Sequence, residues 1–316
     1  MYPPPPPTYS QYGPPVMSIG AIWNETIRLF RRHSTLFMGL AALQVIPQLL
    51  LSVVLQATGV LGRSQVQLEA VIAEFTRRFE AGNSQDTSFI NEFPWGLPVN
   101  AIAQLLVWSL VIFFIQFFVF RTLAMGASVV AVGDAYGTGE PSWGRSVQGA
   151  LRHLPALLSW AILAGFSFFA LMILLLIPCL GIFMWFGVVL FLAMRLLLVP
   201  QIIVAEDVNV FTAMGRSWEL TRNSFWRMLG AWLLFVLLIG LLSGLITTLF
   251  SSVVASVAGS TSGVAIAFTQ GLSTVLGLVT IPLAYIGFTL LYYDHQRRAT
   301  VPPPAPPQYP TYTPYQ

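Results

Sequence analysis

Two arginines stand inside long apolar runs of this chain, Arg121 and Arg195. A guanidinium in hydrocarbon is expensive unless it snorkels to the headgroups, pairs with an acid or meets an anion. At 1.5 Å per residue from Gly181, Arg195 lies roughly 20 Å into its run. That is about 10 Å short of the far boundary of a hydrocarbon core about 30 Å thick. Three readings are open: Arg195 snorkels to the inner headgroups; it lines a polar cavity and meets an anion such as a lipid phosphate; or it pairs with Glu206, Asp207 or another acid. Arg121 follows about 22 mostly apolar residues, enough to cross the core. It is therefore expected at the inner boundary, with Thr122 to Val132 continuing as helix in the cytoplasm. Arg216, Arg222 and Asp207 complete the candidate polar and anion contacts.

Other chemistry is poorly served. All 15 basic residues are arginine, which removes a phosphate-loop lysine and a Schiff-base lysine. Cys179 is the only cysteine, so neither an internal disulfide nor a cysteine metal cluster is expected. His33, His153 and His295 fall at span ends with no acid or cysteine placed to complete a metal site. Glu206 and Asp207 form the only acidic pair near an apolar run, but neighbours on a helix point about 100° apart and make a poor acid–base dyad. No catalytic residue, metal or cofactor is expected. The arginines form no stripe interleaved with aromatics, which argues against nucleic acid as a partner.

The elements that position these residues follow from composition. Hydrophobic residues make up 56% of the chain and charged residues 9%, against about 25% charged in a soluble domain. Six apolar stretches are long enough to span: about 35–60, 99–132, 154–177, 181–205, 228–257 and 264–293. Arg28, Arg31 and Arg32, then Arg145 and Arg152, then Arg216, Arg222 and Arg227, and finally Arg297 and Arg298 all fall on one side of such a bundle. The other side has Arg63, Arg77 and Arg78 among five acids, Glu69, Glu74, Glu80, Asp86 and Glu92. The arginine-rich side is read as the cytoplasm, and the even number of spans puts both termini there. The longest connection on the opposite side predicts an amphipathic helix over 64–80, opened by Ser64 and Gln67 as a capping box. No signal peptide is expected, since MYPPPPPTYS has neither a basic start nor an apolar core. The fold class is thus an all-α polytopic membrane bundle of six transmembrane helices in a cytoplasmic membrane.

One unit recurs three times: an amphipathic helix, a basic corner and a pair of spans. The corners are Arg32-His33, Arg152-His153 and Arg222-Asn223, and units two and three share Gly-Arg-Ser at 144–146 and 215–217. The units close on Asp134, Asp207 and Asp294. The bundle therefore reads as three pseudo-repeated hairpins with cytoplasmic amphipathic helices. The apolar faces of two of these helices are read as Ile19, Ile22, Thr26 and Phe30, and as Phe211, Met214, Trp218 and Thr221. Each would lie at the membrane interface with its apolar side in lipid or against the spans. Gly240 and Gly244 permit close packing in the fifth span. Thr269, Gln270, Ser273 and Thr274 in the sixth would bond to neighbouring helices.

The membrane domain occupies 18–298. Residues 1–17 and 299–316 are Pro/Tyr-rich tails, expected to be disordered. Together they hold 14 of the 22 prolines and six of the ten tyrosines. Polyproline segments of this kind suit docking to aromatic grooves.

The stretch RLLLVPQIIVAEDVNVFTAMGRSWELTRNSFWRMLG, with SIGAIWNETIRLFRRHSTLFMGL near the start and TIPLAYIGFTLLYYDHQRR near the end, resembles the bacterial membrane domain associated with glycerophosphoryl diester phosphodiesterases. Its sharpest elements are Arg216-Ser217-Trp218, Leu220-Thr221-Arg222, Ser224-Phe225-Trp226 and Leu291-Tyr292-Tyr293-Asp294. The resemblance implies the fold and the membrane location. The family's catalytic barrel needs about 250 residues and has no counterpart here, so phosphodiesterase activity is not expected. Two roles remain: lipid or anion handling through the intramembrane arginines, with membrane lipids as partners, or a scaffold that recruits cytoplasmic proteins through its tails.

Overall fold

The computed structural model describes residues 16–57, 77, 107–108, 110, 114–177, 180–258 and 263–300, and the regular structure among them is entirely helical. Helix α1 (Ile19–Arg32) starts at Ser18, whose hydroxyl accepts from the Ala21 amide at 3.2 Å, a standard N-cap. Ile22, Thr26 and Leu29 are buried on one face, while Asn24, Arg28, Arg31 and Arg32 are exposed. The chain turns at His33 into α2 (Ser34–Ala57), bent 94° from α1. The bend sets amphipathic α1 nearly crosswise to the apolar helix that follows it.

One π-helical turn at Ile115–Phe120 leads into α3 (Arg121–Gly137). Helix α4 (Trp143–Leu171) tightens into a 3-10 turn at Met172–Leu176 before α5 (Leu180–Leu196). Short α6 (Val199–Glu206) carries Pro200 in its first turn, where a missing N–H costs nothing. The break between Leu196 and Val199 thus falls just before this proline. Asp207 turns the chain in the left-handed region, with φ of 52°, and Asn209 caps α7 (Val210–Thr221) by accepting from the Thr212 amide at 2.9 Å. The long helices α8 (Phe225–Ala258) and α9 (Gly263–Thr300) complete the described chain. Five helical segments are long and apolar enough to cross a membrane, and the α1–α2 pair makes six.

Three details differ from the sequence reading. The second corner, Arg152-His153, lies inside the unbroken α4, so unit two has no separate pre-span helix. Asn223 and Ser224 interrupt unit three and His33 interrupts unit one, whereas Leu154 follows His153 and the helix simply continues. On α7 the buried residues are Val210, Ala213, Ser217, Leu220 and Thr221, while Phe211 is 78% exposed. The expected apolar face is divided: Phe211 and Trp218 turn outward where lipid would lie, Met214 is half-buried and Thr221 is buried. Among the described residues, nothing lies within 4 Å of a Cβ placed at Gly240 or Gly244. The close approaches are elsewhere: a Cβ at Gly126 would come 2.8 Å from Leu157 Cδ1, and one at Gly149 would come 2.9 Å from Val130 Cγ2. Small residues let α3 and α4 meet backbone to side chain.

The core sits at the arginine-rich end. It joins Ile22 and Leu29 of α1, Phe37 and Leu40 of α2, Ala127 and Val129 to Val132 of α3, Leu157 of α4, Val199 and Ile202 to Ala205 of α6, Met228 and Phe235 of α8, and Ile286 and Leu290 to Tyr293 of α9. Helix α3 is the central post, with 67% of its apolar window buried, against 6% for α8. The stretch after Arg121 does continue as helix, and it forms the middle of this core. Away from it, Phe166, Phe183, Phe186, Leu237, Leu241 and Val257 are all exposed. The helix expected over 64–80 lies outside the described residues except at Arg77, which is helical. The tails beyond residues 16 and 300, and Cys179, also lie outside them.

Candidate functional site

Arg195 occupies the last turn of α5, and α7 folds back over it. Its guanidinium carbon is 5.2 Å from the Phe191 ring centroid and 5.1 Å from that of Trp218. Phe191 is one turn earlier on α5, so helical spacing supplies one ring and α7 supplies the other. Ser217 fixes the pair by donating its hydroxyl to the Arg195 carbonyl at 2.7 Å, one of the carbonyls left open where a helix stops. Ring faces attract a cation but accept no strong hydrogen bond. Arg195 Nε and Nη1 are buried and have no hydrogen-bond partner.

The acids nearest in sequence are engaged elsewhere. Glu206 accepts from the Tyr292 hydroxyl at 2.9 Å and lies 3.8 Å from Arg216 Nε. Asp207 accepts from Arg152 Nη2 at 3.0 Å and faces His153 Nε2 at 2.9 Å. An ion pair between Arg195 and either acid does not form. His153 Nδ1 also faces the Gly149 carbonyl at 2.8 Å, so only the doubly protonated ring donates to both neighbours. Arg216 is shared with Glu219 at 3.6 Å, and Arg222 is exposed at the turn after α7. The five candidates therefore do not converge. Asp207 and its partners make a half-exposed pair, worth about 0.5 kcal/mol. Asp207→Asn is expected to shift the thermal midpoint little, and the shift should vanish in high salt. A large, salt-independent shift would assign the pair a bigger role.

Arg121 belongs to a second polar group. It lies beside Tyr285 of α9, whose hydroxyl donates to Gln44 Oε1 at 2.7 Å. Gln116, within the π turn, donates to the Gln44 carbonyl at 2.7 Å and to Gln48 Oε1 at 3.3 Å. Pro47 lacks the N–H that would close this turn of α2 and disturbs the carbonyls before it. The Gln116 amide reaches into that disturbed turn. The π turn widens α3's entry and aims Gln116 there, a common use of such insertions. Thr269, Ser273 and Thr274 each have an interaction partner.

The three repeat-closing aspartates all meet cations. Asp134 is 3.5 Å from Arg145 Nε, Asp207 has Arg152, and Asp294 has Arg227 at 2.6 Å and Arg298 at 3.0 Å. Asp294 is completely buried and also accepts from the Met17 amide at 2.7 Å. Sequence reasoning found the aspartates as a recurring position but missed this clasp, whose members are up to 281 positions apart. The glutamine group was missed too, because Gln44, Gln48 and Gln116 share no spacing with Tyr285. Among the described residues no three His, Cys, Asp or Glu side chains are grouped to hold a metal. No family model, curated protein or solved structure matches this chain.

Proposed function

We propose that the chain is a multi-pass protein of a bacterial cytoplasmic membrane, with both termini in the cytoplasm, that handles a lipid or other anion at Arg195. The observation that carries this reading is the Arg195 guanidinium, which keeps two buried nitrogens, Nε and Nη1, without acceptors against the rings of Phe191 and Trp218. Buried donors without acceptors cost about 1–3 kcal/mol each, and a phosphate oxygen would satisfy them with charge-assisted bonds. Trp143, Trp218 and Trp226 are exposed at this same end, as aromatic residues are at headgroup depth. The exposed apolar sides of α5 and α8 begin next to Arg195 and suit acyl chains. The resemblance to the phosphodiesterase-associated membrane domain supports the location and the fold, and no phosphodiester cleavage is proposed.

The test is native mass spectrometry of protein purified in mild detergent, beside Arg195→Ala. Phospholipid retained by the native chain and lost by the variant is the expected result. Added inorganic phosphate separates the two sources of the anion: displacement of the lipid by millimolar phosphate would make the site a general anion site. Equal lipid retention by both proteins would refute the reading.

A further inference from the structure

The Asp294 clasp ties the two ends of the membrane domain together. Arg227 Nη2 donates to Asp294 Oδ2 and to the Met17 carbonyl, each at 2.6 Å. Arg298 Nε donates to the same carboxylate oxygen and Arg298 Nη2 to the same carbonyl, each at 3.0 Å. The Met17 amide completes the set on Asp294 Oδ1. Both polar groups of Met17 are therefore held by side chains of α8 and α9. Met17 is thus held beside the last turns of α9, so the residues from which the two terminal segments continue lie together.

The two segments carry the same tetrad. Pro6-Pro7-Thr8-Tyr9 and Pro306-Pro307-Gln308-Tyr309 are both Pro-Pro-x-Tyr. In a polyproline II helix, with about three residues per turn, the first proline and the tyrosine of each tetrad fall on one edge. That edge is what a groove lined by aromatic side chains reads, with proline rings stacked on it and the tyrosine beyond them. The spacing from the clasp also matches: Tyr9 lies eight positions before Met17, and Pro306 lies eight positions after Arg298. At about 3.1 Å per residue in a polyproline II chain, eight residues reach about 25 Å, the reach from the clasp to the near end of each tetrad.

We propose that the tails form a two-pronged ligand for a partner protein carrying two polyproline-binding aromatic grooves, and that the clasp holds the prongs at one exit point. This inference is independent of the Arg195 reading, since it uses neither lipid nor anion. Tethering two prongs at a common root makes the second contact intramolecular, at an effective concentration in the millimolar range. Neither tail alone has that advantage.

The test uses the full-length protein in nanodiscs that hold one copy each, so that prongs from two copies are not combined. The probes are a single WW-type domain that reads Pro-Pro-x-Tyr, and a flexible tandem of two such domains. The tandem is expected to bind about 100-fold more tightly than the single domain. Tyr9→Ala and Tyr309→Ala, both outside the membrane domain, should each return the tandem to near single-domain affinity. A tandem that binds no more tightly than one domain overturns the proposal. So does sensitivity to only one of the two tyrosines, or no binding by either probe.

Discussion

Asp294→Ala is expected to destabilise the protein by about 3–5 kcal/mol, the usual cost of breaking a buried charge pair from one side. The carboxylate is completely buried and receives Arg227, Arg298 and the Met17 amide. Without it, the half-buried guanidinium of Arg227 faces only the Met17 carbonyl, and the two cations repel at short range. Asp294→Asn keeps acceptor oxygen while removing charge, so its loss should be smaller. Arg298 is more exposed than Arg227, and Arg298→Ala should cost least of the three. Thermal unfolding in detergent, read by tryptophan fluorescence, gives the order. If Asp294→Ala unfolds within one degree of the native chain, the clasp is a bystander to folding.

Phe235→Ala is expected to cost about 3–5 kcal/mol as well, for a different reason. Phe235 is 1% exposed, packs edge-on against Trp23 at 5.3 Å between centroids and lies 5.8 Å from Phe288. Its ring presses on the backbone of α9 at Gly287. One side chain therefore links α1, α8 and α9, and its loss leaves a cavity at the junction of three elements. Limited proteolysis would report the local effect, since α1 should become cleavable in Phe235→Ala while α8 and α9 stay intact. Unchanged protection of α1 would show that its own face, Ile22, Thr26 and Leu29, holds it without Phe235.

The helices were legible because hydrophobic run length and arginine placement act locally. Ser18, Asn209, His33 and Pro200 mark ends that any chain with those residues would adopt. The position of the core was not legible. Apolar residues fill both halves of every span, so hydropathy cannot say which half meets protein and which meets lipid. That distinction comes from Ala, Gly and Ser on α3, which permit close approach only where the partner helices actually converge. The candidate site was half legible. Arg195 stood out as a charge in an apolar run, but its partners Phe191 and Trp218 became visible only when α7 folded back onto α5. The divided apolar face of α7 has the same origin: one side of that helix meets protein and the adjoining side suits lipid, and both are apolar. The clasp and the glutamine group are long-range pairings, which residue spacing does not encode.

The concentration of the core at one end has a consequence for the membrane around it. Beyond the core, α4, α5 and α8 leave most of their apolar residues exposed. Helices so arranged can change tilt to match the local hydrocarbon thickness, at a cost of only fractions of a kcal/mol per Å. The arginine-rich end would keep its geometry while the far halves lean or straighten. A bundle of this design is fitted to bilayers of different thickness, and the surroundings of Arg195 would stay the same in each.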